Sequence, residues 1–114
     1  MNEVRFKNNL LYIGNNEISF VNKIIQLKHD YNKIFVLLGI PPRKELSYDD
    51  CHNIYCYDSE GGKVWQIGQR TKGDDTVFTM ISISDSVLYV NDFLGRRFTV
   101  DKENGLVEDM IITK

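Results

Sequence analysis

Apolar residues alternate with polar ones over short runs in this chain, and no useful window holds the i, i+3, i+4, i+7 spacing of an amphipathic helix. LLYI at 10–13 is followed by GNNE and then ISFV at 18–21. IIQL at 24–27 leads through HDYNK to IFVLL at 34–38. NIYCY at 53–57 leads through DSEGG to KVWQI at 63–67. VFTMISI at 77–83 leads through SDS to VLYV at 87–90, and RRFTV at 96–100 leads through DKENG to LVEDMII at 106–112. With VRF near the start, the pattern predicts about ten strands joined by hairpin-length turns. Gly, Asn and Asp supply the positive φ angles such turns need. The expected fold is all-β, an antiparallel meander.

Two segments interrupt the alternation. IPPRKELSYDDCH at 40–52 holds both prolines, which fix φ and lack a donor, so it reads as an inserted loop. QRTKGDD at 69–75 is a second polar connection.

The chain also resembles itself. Laying YDSEGGKVW (57–65) over VDKENGLVE (100–108) puts Asp58 on Asp101, Glu60 on Glu103, Gly62 on Gly105 and Val64 on Val107. Upstream, IIQLKHDYNKIFVLLG is similar to FTMISISDSVLYVND once about ten residues of the 40–52 loop are set aside. A repeat of roughly 40–45 residues with four strands is the period of a propeller blade. YDSEGGKVW resembles the end of a blade in quinoprotein-type (PQQ-like) β-propellers, where an aspartate, a glycine and a tryptophan mark the last hairpin. At 100–108 the tryptophan position holds Glu108.

The resemblance implies a partial blade hairpin at 1–22, a blade at 23–68 carrying the 40–52 insertion, and a second blade at 76–113. Two to two and a half blades cannot close a ring, which takes about four to eight. A partial β-propeller or a curled β-sandwich is therefore expected, with an open side left for a partner or for further copies of the chain.

Composition narrows the function. A chain of 114 residues suggests one domain, and a net charge of −2 argues against a general nucleic-acid or membrane-surface binder. No apolar run approaches the roughly 18 residues of a membrane span, and the start lacks a signal-peptide core, so a cytoplasmic location is expected. Cys51 and Cys56 then read as reduced thiols.

Catalytic signatures are missing. Asp49, Asp50, Cys51 and His52 with Cys56 form the richest group of potential ligands, yet they do not make a four-ligand metal set. Cys51 with a histidine would be the nucleophile pair, but nothing in the sequence marks a low thiol pKa. Gly61 and Gly62 precede no helix and so make no phosphate cradle. No metal, cofactor or enzymatic reaction is expected.

Carboxylates in loops are the remaining signal: Asp49 and Asp50, Asp58 and Glu60, Asp74 and Asp75, Asp101 and Glu103. Acidic loops steer a basic partner, and Tyr48 beside them suits an interface anchor. In size, acidity and lack of its own chemistry the chain is similar to bacterial immunity proteins of contact-dependent growth inhibition and polymorphic toxin systems. That profile implies a non-catalytic protein, alone or as a heterodimer, that blocks a cognate basic toxin domain, such as a nuclease. The expected contact residues are Tyr48, Asp49, Asp50, Asp58, Glu60, Asp101 and Glu103. The alternative is a self-assembling partial propeller that binds a small ligand or sugar.

Overall fold

The computed structural model describes residues 3–42, 45–69 and 76–111. Asp74 and Asp75 lie outside the described residues, as do the outermost positions of the 1–22 and 76–113 units. Eleven strands and one short helix run in the order β1 (Val4–Lys7), β2 (Leu10–Ile13), β3 (Asn16–Ser19), β4 (Ile24–Asp30), β5 (Lys33–Leu38), α1 (Tyr48–Cys51), β6 (Ile54–Asp58), β7 (Lys63–Gln66), β8 (Phe78–Ser84), β9 (Val87–Asp92), β10 (Arg97–Val100) and β11 (Val107–Ile111). The chain is all-β, as its alternation predicts. It forms three antiparallel meanders, β1-β2-β3, β4-β5-β6-β7 and β8-β9-β10-β11.

The second sheet is the middle layer. Side chains alternate across a strand, so it presents two apolar faces. Phe35, Leu37, Ile54, Cys56, Trp65 and Ile67 pack against Phe78, Ile81, Leu88, Val90 and Phe98 of the third sheet. On the other face Ile24, Ile34, Val36, Leu38 and Tyr57 pack against Leu11 and Ile13 of the first sheet. This double burial is why β5 reads as an almost unbroken apolar run. The two outward faces are different. Each carries an arginine over a tyrosine ring, Arg5 on Tyr12 and Arg97 on Tyr89, both at 4.2 Å.

The second and third sheets share their register. Each has a β-bulge near the start of its first strand, between Ile24 and Gln26 and between Phe78 and Met80. Ile24 pairs with Leu38 as Phe78 pairs with Asp92, and Leu37 pairs with Ile54 as Asn91 pairs with Arg97. Corresponding positions are thus 54 apart in the first hairpin and 43 apart in the second, the difference being the longer β5–β6 connection.

Side-chain amides join the layers. β8 is an edge strand, and its free peptide groups would otherwise be an exposed template. Gln26 gives its Nε2–H to the Ile81 carbonyl at 2.9 Å and accepts the Ile81 N–H at 2.8 Å. Asn53, fully buried, donates to the carbonyls of Leu38 (2.8 Å) and Phe78 (2.9 Å) and accepts the Phe78 N–H (2.9 Å). At the far end the Trp65 indole donates to the Lys102 carbonyl at 2.8 Å, and Lys102 and Lys33 reach Asp30 (2.6 Å) and Glu103 (3.2 Å).

The aspartate turns refine the internal alignment. The Asp58 carboxylate accepts the N–H groups of Glu60 and Gly62, and Asp58 N–H bonds the Gly62 carbonyl. Asp92 does the same with Leu94 and Arg96. At Asp101 the side chain accepts Glu103 N–H, but the turn closes on Leu106, one residue later. The left-handed glycines are accordingly Gly61 and Gly105, so Gly105 corresponds to Gly61 and not to Gly62 as the sequence overlay places it.

Candidate functional site

In a meander, successive connections leave alternate ends of the sheet. The β5–β6 connection, with β3–β4, β7–β8 and β9–β10, therefore lies at one end. The β4–β5, β6–β7, β8–β9 and β10–β11 turns lie at the other. Ion pairs between the 30–33 and 102–103 turns, and the Asn16 side-chain bond to the Glu60 carbonyl, hold the second group together. The expected contact residues are thus divided. Tyr48, Asp49 and Asp50 stand at the insertion end, and Asp58, Glu60, Asp101 and Glu103 at the turn end. Five strand residues, Ile54–Asp58, separate the ends along β6, about 15 Å at the usual strand rise. The seven expected contact residues therefore fall into two groups at opposite ends of the sheet.

At the insertion end the 40–52 segment is not wholly a loop. Ser47 N-caps α1: its hydroxyl accepts the Asp50 N–H at 3.1 Å, and the Asp50 carboxylate accepts the Ser47 N–H at 3.0 Å. Asp50 is therefore a buried capping residue, 5% exposed, and not a surface contact. Tyr48 is exposed and stacks on the His52 ring, centroids 3.8 Å apart. His52 is fully buried, with Nδ1 2.6 Å from the Tyr48 carbonyl, which as an acceptor requires the proton on that nitrogen. His52 is the C-cap of α1 and precedes β6, the strand that carries Cys56. Asp49 is exposed and accepts from Gln66 at 3.1 Å.

Both cysteines are buried and neither is in a disulfide. Burial pushes the Cys56 thiol up to about 12, against a smaller opposing effect of Lys33, which is the reverse of an activated nucleophile. Among the described residues no group of three or more His, Cys, Asp or Glu stands together as a metal site needs. Among the described residues no helix is long and apolar enough to cross a membrane.

At the turn end most carboxylates are already engaged. Asp58 and Asp101 cap their own turns, and Glu103 is paired with Lys33. Glu60 is exposed. Tyr31, 79% exposed, sits among these turns at φ 54, a left-handed backbone that disfavours a bulky side chain.

The feature that sequence reasoning missed is apolar. A groove of about 590 Å³ runs along the insertion end, lined by Val21, Ile25, Ile40, Pro41, Val77 and Phe93 among others. A neighbouring hollow extends it to Pro42 and Leu46. Val21 is 94% exposed and Phe93 71%, and Leu94 follows in the same turn. A Phe-Leu pair in an Asp-x-x-Gly turn, a place that polar residues usually fill, was the available signal.

Beside the groove, sharing Val21, Asn22 and Ile40 with it, is a smaller hollow of about 240 Å³ walled by Phe20, Tyr55 and Tyr57, with Asp49 and Asp50 on its lining. Phe20 stands 5.4 Å from the Tyr55 ring and 6.0 Å from the Tyr57 ring. Burial first, and then the Asp49 charge, raise the Tyr55 phenol above its ordinary value, and burial raises Tyr57.

No curated protein and no solved structure is found to match this sequence. One family model, described as a domain of unknown function (DUF7957), matches residues 1–111, and the chain belongs to that family.

Proposed function

We propose that the chain is a protein-binding module without chemistry of its own, and specifically a bacterial immunity protein that neutralises a cognate toxin domain by covering its active site. The observation that carries this reading is the contiguous apolar groove at the insertion end, with Val21 and Phe93 presented to solvent beside it. Patches of this kind, rimmed by polar groups, are where partners dock, and an exposed aromatic is the usual anchor. The occupant that fits is a protein segment carrying an apolar side chain next to a lysine or arginine, because Asp49 lines the hollow that shares Val21, Asn22 and Ile40 with the groove. The acidic turns at the opposite end contribute little to this contact, because at about 15 Å they lie beyond the Debye length of about 8 Å at physiological salt.

The alternative of a ring of copies has less support. Stacking further blades would bury the outward faces that carry Arg5, Lys7 and Glu17 on one side and Arg97, Asn91 and Thr99 on the other.

Co-expression tests the reading. The chain is produced together with the C-terminal domain encoded immediately upstream of its own gene, with growth as the readout. Rescue by the native chain and its loss in Val21→Asp with Phe93→Ser is the expected result. Absence of rescue by the native chain, or rescue unchanged by both substitutions, overturns it.

A further inference from the structure

Among the described residues the first sheet has three strands and the second has four. β3 reaches across to the β6–β7 turn through the Asn16–Glu60 bond, so the inward face of β6 and β7 beyond it has no fourth strand of the first sheet to cover it. Tyr55, Tyr57 and Gln66 lie on that face, since Val36 pairs with Tyr55, Ile34 with Tyr57 and Tyr55 with Gln66. Phe20 and the α1 segment close over part of the gap. What remains is the 240 Å³ hollow, with Phe20, Tyr55, Tyr57 and Asp49 on its lining.

We propose that this hollow is a recognition site for an organic cation, an ammonium or guanidinium head on a short aliphatic stem. Aromatic faces attract cations through their quadrupole, and the attraction grows when water is excluded. Tyr55 already shows the geometry: the protein's own Lys63 Nζ stands 5.2 Å from its ring centroid. Asp49, exposed beside the hollow, supplies the counter-charge. The two N–H bonds of Gln66 Nε2 are shared among Asp49 (3.1 Å), the Tyr55 hydroxyl (3.2 Å) and the His52 carbonyl (3.0 Å), so the wall is preorganised. The volume is below that of a drug-sized pocket and suits a single head group. The two raised phenols remain neutral hydroxyls at physiological pH, so they add no competing charge.

Such a head has two sources, a free quaternary amine or a lysine or arginine side chain of a bound protein. The site itself does not depend on the protein-binding reading. The test is an aromatic NMR titration of the whole chain with choline, with N-acetyl-lysine methylamide, and with 3,3-dimethylbutan-1-ol, the neutral isostere of choline. At least one cation should bind in the millimolar range and shift the Phe20, Tyr55 and Tyr57 ring signals, with the neutral isostere about tenfold weaker or more. Asp49→Asn keeps the Gln66 acceptor and should weaken the cation severalfold. Lys63→Met removes a resident positive charge and should tighten it. Stronger binding of the lysine derivative assigns the site to a partner's side chain, and stronger binding of choline assigns it to a free amine. Equal binding of choline and its neutral isostere, or unmoved ring signals with both cations, overturns the proposal. Phe93→Ser separates the two readings. It should abolish rescue by the chain in the co-expression assay and leave cation binding intact, so failure of one result does not carry the other with it.

Discussion

Gln26 and Ile81, on different sheets, exchange two hydrogen bonds as two paired peptides would. The amide side chain stands in for a missing strand along the open edge of β8. Gln26→Leu leaves both Ile81 peptide groups without that partner in a half-buried position. The expected loss is about 1–3 kcal/mol. Asn53 makes three such bonds with no exposure to water, so Asn53→Ala should cost about 3 kcal/mol or more. Urea unfolding monitored by Trp65 fluorescence measures both, and an Asn53→Ala variant no weaker than Gln26→Leu would refute the ranking.

Gly105 and Gly95 have nearly the same backbone, φ 78 and φ 79, but different surroundings. A β-carbon at Gly105 would stand 2.7 Å from the Trp65 ring, and one at Gly95 would meet open space. Alanine at Gly95 should therefore cost only the left-handed strain, about 1–2 kcal/mol. Alanine at Gly105 adds displacement of the indole that locks the second sheet to the third, and should roughly double that loss. Equal midpoints for the two variants would show that the ring yields without cost.

Much of this fold was legible in the residues. The alternation places the strands, and the Asp-x-x-x-Gly spacing exposes the repeat. The capping box was legible too, in Ser47-x-x-Asp50, and would have removed Asp50 from the surface set. Parity was available in principle. The 40–52 and 58–62 connections are consecutive in a meander and so must leave opposite ends of the sheet, which already separates Asp49 from Glu60. The apolar groove could not be read in this way. Val21, Pro41, Val77 and Phe93 come from four separate connections, and only packing of the three layers brings them side by side.

Tyr31 gives a stability prediction of the opposite sign. Its φ of 54 is costly for an aromatic residue and its side chain is largely in water, so little packing offsets the strain. Asn tolerates this conformation, and Tyr31→Asn should raise stability by about 0.5–1 kcal/mol. A destabilised variant would mean that the ring makes contacts worth more than the strain it imposes.

The Cys56 thiol carries the clearest pH dependence. Burial between the second and third sheets raises its folded-state pKa from 9.0 to about 12, and Tyr55 and Tyr57 shift upward from 10.0 for the same reason. All three groups are neutral acids whose charged forms the fold disfavours. Their contribution is complete below the unfolded-state values and is lost as the pH rises toward the folded ones, because the unfolded chain releases its protons first. Stability should therefore be flat through neutrality with respect to these groups and decline from about pH 9 toward 12. At neutral pH the folded thiol should react with a disulfide reagent no faster than unfolding exposes it, and in urea it should react at the rate of an ordinary cysteine. A Cys51→Ser background isolates Cys56 for that assay. Rapid reaction of the native protein at neutral pH would show that the interface between the two sheets opens far more readily than its packing implies.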